Sequence, residues 1–132
     1  MDLYETIKTR RSIRAYKKDP VEDDKLDRII NAARLAPTAA NRQPFSLVIV
    51  KNNQVKHKLK NAYSPEWFYT APVIICACAS PQDAWKRNDG KGYVDVDVAI
   101  AMDHLILAAS AEGLGTCWIA AKSFSRSSKY QM

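Results

Sequence analysis

Residues 93–120 read YVDVDVAIAMDHLILAASAEGLGTCWIA. From Tyr93 to Ala111 a helical projection carries apolar side chains nearly all round: Val96, Ile100, Leu107, Ala108 and Ala111 cover one side, and Ala99, Met102, Leu105, Ile106 and Ala109 cover others. Such a helix is buried on several sides. In a chain of 132 residues that implies packing against a partner chain as well as against its own sheet, because so small a domain has little interior. Asp95, Asp97, Asp103 and His104 interrupt the stretch from Val94 to Ala111, so it is no bilayer span. Gly113 closes the helix as a C′ residue, and Thr116 to Ala121 then reads as a strand.

Working back toward the N-terminus, Pro72 to Ala79 is an almost continuous apolar run that fits a central strand covered on both faces. Phe45 to Val50 is a second strand. Asn52-Asn53 turns from it into a charged helix around Gln54 to Asn61, whose Lys-rich face reads as solvated. After Pro20, Val21 to Ala36 is an amphipathic helix with Leu26, Ile29, Ile30 and Ala33 on one face, ended by Pro37. Asp2 caps a first helix over Leu3 to Thr9, with Leu3 and Ile7 one turn apart on the buried side. Ser80 to Gly92 is polar and contains Asn88-Asp89-Gly90, a mobile loop of the kind that lines a site. Helices and strands are interleaved without repeats, which predicts a single domain with elements of both kinds over residues 1–121 and a polar tail over 122–132.

Composition narrows the function classes. With 47% apolar and 26% charged residues the chain is a globular protein. The net charge of +6 is uneven. Lys8 to Lys18 carries six bases and no acid, and Lys122, Arg126 and Lys129 supply half of the net charge near the C-terminus. A short basic block suits one phosphate group, whereas nucleic acid needs a broad basic face, so no nucleic-acid partner is expected. Cys76, Cys78 and Cys117 have no His at ligand spacing, which excludes a zinc motif, and are read as buried small hydrophobes. No apolar signal core precedes Arg10, so the expected location is the cytoplasm, with no membrane role.

Three segments carry chemistry. Arg10-Arg11-Ser12-Ile13-Arg14 sets three guanidinium groups and a hydroxyl within five residues, a donor set for a phosphate; a solvated basic face is the competing reading. Pro37-Thr38-Ala39-Ala40-Asn41-Arg42-Gln43-Pro44-Phe45 offers amide donors and acceptors at Asn41 and Gln43 for the edge of a heteroaromatic ring, or is an ordinary proline-bounded loop. In Gly113-Leu114-Gly115-Thr116-Cys117-Trp118-Ile119-Ala120, two glycines let backbone approach a ligand, or form a tight turn before a core Trp.

In this order and at these separations, RRSIR, PTAANRQPF, VDVDVAIAMDHLILAA and GLGTCWIA resemble the nitroreductase family of flavoproteins, from about Leu3 to Ala121. The resemblance implies a three-layer α+β fold with a central, mainly antiparallel sheet flanked by helices, and a homodimer holding FMN at the subunit interface. It implies that Arg10, Arg11, Ser12 and Arg14 contact the phosphate, ribityl chain and pyrimidine edge of the flavin. Pro37, Thr38, Asn41 and Gln43 would reach it from the other subunit, and backbone at Trp118, Ile119 and Ala120 would approach its reactive edge. Ala120 replaces a glycine seen in many relatives. FMN then supplies the redox chemistry, which accounts for the absence of a catalytic triad or carboxylate pair; Arg14 is the candidate for tuning its potential, and residues around Trp67 to Tyr69 and Trp85 to Tyr93 are candidate lids.

The expected activity is NAD(P)H-driven, ping-pong reduction of nitroaromatics, quinones or similar small acceptors. The alternatives are a specialised flavin reaction such as reductive dehalogenation, and a truncated flavin-binding protein without turnover. Relatives continue past the GLGTCWI strand with another helix, a strand bearing a Gly-Tyr-Pro-like turn and a basic phosphate ligand. Lys122 to Met132 matches none of these and is serine-rich, so the expectation is a chain cut short, with weakened FMN binding.

Overall fold

The computed structural model describes residues 1–121. Helix α1 (Leu3–Thr9) begins where the Asp2 carboxylate accepts the Glu5 N–H, as the cap predicts. Helix α2 (Asp23–Arg34) and strand β1 (Phe45–Val50) follow. Next come α3 (Asn53–Leu59), capped by the Asn52 side chain, the single turn α4 (Glu66–Tyr69), β2 (Ile74–Ala79) and the long α5 (Val94–Ala111). β1 and β2 pair antiparallel, with Phe45 opposite Ala79 and Val50 opposite Ile74.

The main core lies between α2, α5 and the sheet. Ile29, Ala33 and Ala36 meet Ala101, Leu105 and Ala109, and Phe45, Leu47 and Ile75 close the cluster from the strands. A smaller cluster of Val50, Ala71 and Ile74 packs with Tyr16, Val55 and Phe68. α5 ends in a two-bond turn. Gly113, at φ 79°, lets its own N–H reach the Ser110 carbonyl and the Leu114 N–H reach the Ala109 carbonyl, while Leu114 packs into the core. Beyond it the Ile13 N–H donates to the Thr116 carbonyl at 2.8 Å, and Ser12 and Thr116 form a parallel bridge.

Four expectations are corrected. Leu3 and Ile7 are not on the buried side: they are 61% and 51% exposed, because α1 turns Thr6 inward and presents its apolar side to solvent. The Lys-rich face of α3 is not all solvated, since Lys56 is 4% exposed and its ammonium donates to the Ala71 carbonyl at 2.7 Å. β2 is buried at Ile74 but opens toward Ala79, and Cys78 is exposed rather than a core residue, because the strand runs out from under α5. Thr116 to Ala121 forms no ladder among the described residues beyond the bridge at Ser12. Within the Ser80 to Gly92 loop the Arg87 and Tyr93 amides bond back to the carbonyls of Lys91 and Trp85, and Arg87 reaches Asp89 and the Tyr93 hydroxyl. The tail at 122–132 lies outside the described residues.

Across the helix pair, the Arg28 guanidinium forks onto both oxygens of Glu112 at 2.5 and 3.0 Å and also reaches Asp24 at 3.2 Å. Arg28 therefore holds the carboxyls of Glu112 and Asp24 below the usual range. A carboxyl held down in the folded chain contributes stability that is whole above its ordinary value and is lost as pH falls through the depressed one. Arg28→Met should lower Tm at neutral pH and flatten the loss of Tm between about pH 5 and pH 3, as read by thermal unfolding across pH; parallel curves for the two proteins would contradict it.

Gly115 is needed for the Ser12 bridge, because a Cβ there would stand 2.8 Å from Ile13 Cγ1 and 3.0 Å from its Cβ. Gly115→Ala is expected to destabilise the chain by about 1–3 kcal/mol, the usual scale for overpacking. Denaturant unfolding measures that loss, and amide exchange should show the Ile13 N–H deprotected.

Candidate functional site

The fold brings two of the three sequence motifs together. The Ser12–Thr116 bridge and the Ile13 bond run RRSIR alongside GLGTCWIA, so the basic side chains and the extended backbone toward Trp118, Ile119 and Ala120 share one edge. Trp118 is 49% exposed, which excludes the core-Trp reading. Arg10, Arg11, Ser12 and Arg14 are all exposed. Arg11 bends back, its Nη1 donating to the carbonyls of Lys8, Thr9 and Arg10 at the C-terminal end of α1. That end of a helix favours a cation. Among the described residues Arg10 and Arg14 enter no ion pair, so their guanidinium groups stay available for an anion.

Tyr16, which sequence reasoning left out, pins this edge. Its hydroxyl donates to the Ile13 carbonyl at 2.6 Å. Burial, reinforced by Cys117 and opposed by Arg14, pushes the phenol up to about 12, so it remains a neutral donor at physiological pH. The ring also stands 6.3 Å from Trp67, which in turn meets Tyr63 at 5.7 Å. The candidate lid at Trp67 to Tyr69 therefore adjoins the basic block through an aromatic chain. At the other candidate lid, Trp85 and Tyr93 pack edge to face at 5.2 Å, with Arg87 over the Tyr93 ring.

The third motif is anchored elsewhere. Among the described residues no hydrogen bond joins Pro37 to Phe45 with the basic block. The loop is bound to α5 through Ala39, whose N–H donates to Asp97 Oδ1 at 2.9 Å, and to the end of β2 through Pro44, whose carbonyl accepts the Ser80 N–H at 2.7 Å. Ala40, Asn41 and Gln43 all sit at φ 52°. Non-glycine residues in that region cost on the order of 1–3 kcal/mol each when the rest of the fold enforces them, less for asparagine. The Thr38 hydroxyl accepts the Gln43 N–H, and Gln43 Nε2 donates to Asn41 Oδ1 at 3.0 Å, so the predicted amides form a linked pair. Asp97 was also missed as a site residue; its signal is that it falls at four-residue spacing with Ala101, Leu105 and Ala109, an acid on the buried stripe.

A groove of about 760 Å³ between α2, β1 and α3, lined by Leu26, Ile30, Val48 and Val55, contains none of the motif residues. Among the described residues there is no cluster of His, Cys, Asp and Glu fit for a metal, and no helix long and apolar enough to cross a membrane.

These motifs and this fold recur in known proteins. The solved structure of a nitroreductase family protein from Clostridium novyi NT superposes with a TM-score of 0.85 at 36% identity, covering 92% of this chain and 70% of that one. A protein of Methanothermobacter thermautotrophicus provisionally named NADH dehydrogenase/NAD(P)H nitroreductase is 33% identical over 119 residues, 89% of this chain and 60% of its own length. The FMN reductase [NAD(P)H] of Bacillus subtilis is 30% identical over 135 residues, 91% of this chain and 54% of its own. The chain thus spans 54% to 64% of the length of three curated relatives, these two among them, and less than half of others that it matches. The sequence model of the Nitroreductase family matches residues 7–66 and 53–129, nearly the whole chain. The chain belongs to the nitroreductase family.

Proposed function

We propose that this chain is an NAD(P)H-dependent, FMN-binding oxidoreductase that reduces a small electron acceptor as a homodimer. The observation that carries the reading is the Ile13–Thr116 hydrogen bond, which runs the basic block, where Arg10 and Arg14 enter no ion pair among the described residues, alongside the segment that leads to exposed Trp118. The donor set suits FMN: Arg10, Arg14 and the Ser12 hydroxyl offer charge-assisted bonds to a phosphate, and the linked Asn41 and Gln43 amides offer a donor and an acceptor to a ring edge. Bound FMN would supply hydride and electron transfer, alternating between NAD(P)H and an acceptor such as a nitroaromatic or quinone. The protein's part is to anchor the phosphate, read the ring edge with Pro37, Thr38, Asn41 and Gln43, and bring the backbone of Trp118, Ile119 and Ala120 against the ring. Arg14 would favour negative charge on the reduced ring. Free Cys76, Cys78 and Cys117 suit the reducing cytoplasm.

Surface chemistry supports the homodimer. Leu3, Tyr4 and Ile7 on α1 and Val96 on α5 are exposed, and only the Asp97, Ala101, Leu105 and Ala109 stripe of α5 is fully buried. The family resemblance would have a second copy supply its Pro37 to Gln43 loop to the basic block, to which no hydrogen bond among the described residues of one chain joins it.

Arg10→Ala and Arg14→Ala should each weaken FMN binding by about 1.5–3 kcal/mol, one to two decades, as measured by calorimetry. Anaerobic NADH or NADPH should bleach the flavin of the wild-type protein. Wild-type affinity in both variants would remove the basic block from the site; a yellow protein that neither nucleotide bleaches would favour a flavin binder without turnover.

Ile7→Glu should shift the protein from dimer to monomer in light scattering, since assembly would bury an unpaired charge. A stable, flavin-loaded wild-type monomer at low micromolar concentration contradicts the dimer.

A further inference from the structure

Asp97 holds an uncommon position for a carboxylate. It is 1% exposed in the first turn of α5, on a stripe that otherwise consists of Ala101, Leu105 and Ala109. Oδ1 accepts the Ala39 N–H at 2.9 Å, and Oδ2 has no hydrogen-bond partner among the described residues. An apolar side chain here would extend the core, so burial alone disfavours an acid. Among the described residues its carboxylate makes one hydrogen bond, to a residue 58 positions earlier, the first of the turn Ala39–Asn41.

That turn is where the backbone is least relaxed. Ala40, Asn41 and Gln43 are left-handed without glycine's freedom. The loop is fastened at both ends, by Asp97 at Ala39 and by buried Pro44 against Ser80, and the amides of Asn41 and Gln43 lie between. With Gln43 Nε2 bonded to Asn41 Oδ1, the ends left over are the Asn41 amide as donor and the Gln43 carbonyl as acceptor.

We infer that Asp97 is a positioning residue of the flavin site: through the Ala39 N–H it holds the turn in its left-handed form and so presets the Asn41 and Gln43 amides for a ring edge. The flavin part of this inference rests on the function proposed above; the hold on the loop does not.

Two readouts on the full chain separate them: amide hydrogen exchange without flavin, and fluorescence titration with FMN. Asp97→Ala should speed exchange at Ala39, Asn41 and Arg42 and weaken FMN binding, each by roughly tenfold or more. Asp97→Asn keeps an acceptor oxygen and should leave both within about threefold of wild type, a rescue that a need for the charge itself would not give. Unchanged exchange in Asp97→Ala overturns the inference, as does faster exchange with unchanged FMN affinity. If Asp97→Ala fails to fold, Asp97→Asn decides alone: wild-type exchange supports the acceptor role, and lost protection overturns it. A wild-type chain that binds no FMN, with the exchange pattern as expected, refutes the flavin reading while supporting the hold on the loop.

Discussion

The packing of α5 on α2 depends on small side chains. Ala33 on one helix and Ala101 and Ala109 on the other are buried almost completely, so the two backbones come close and Ile29 and Leu105 fill what space remains. Each such buried Ile or Leu contributes about 1.5–3 kcal/mol relative to exposure. The contact also fixes the two ends of α5, and both ends matter. Its first turn delivers Asp97 to the Pro37 to Phe45 loop, and its last delivers Gly113, Leu114 and Gly115 to the edge where Ile13 docks. The Arg28–Glu112 fork clasps that second end. Being partly solvated, the fork orients more than it stabilises.

Strain and desolvation are concentrated at one place. Three left-handed residues and a half-bonded, buried carboxylate face each other across a single hydrogen bond, whereas α1, α2 and β1 contain no such outlier. Conformations of this kind persist only where the surrounding structure over-determines them, and they gather at binding sites. The loop meets the first condition, with Pro44 buried at one end and Asp97 at the other.

Electrostatics marks the second half of the candidate site. The block from Lys8 to Lys18 contains no acid, so nothing within its own sequence neutralises it. Arg11 spends its guanidinium on the carbonyls that end α1, and the neutral Tyr16 hydroxyl stiffens the backbone at Ile13. Arg10 and Arg14 then project from a fixed edge. Exposed charges of this kind act on an anion over about 10 Å at ordinary salt.

Much of this was legible in the residues. Asp2 as a cap, Phe45 to Val50 as a strand, the alternation that ends α2 before Pro37 and the glycine that stops α5 are local consequences of backbone sterics and hydrophobic period, which need only neighbours in sequence. The motif set and its order were enough to mark the family. Long-range contacts were not legible. Which face of α1 is covered depends on where α5 lies, which is why Thr6 and not Leu3 or Ile7 is buried. Lys56 looks like any surface lysine until the Ala71 carbonyl is brought over it. Tyr16 and Asp97 gain their roles in part from partners that only chain topology brings near, Trp67 for one and Ala39 for the other. The sequence by itself determined the local elements and the chemistry available at the site, because caps, turns and donor groups are properties of short segments. Only the tertiary structure decided which of those groups meet, because the bonds that join them, 58 residues apart at Asp97 and Ala39, exist only once the helices have packed.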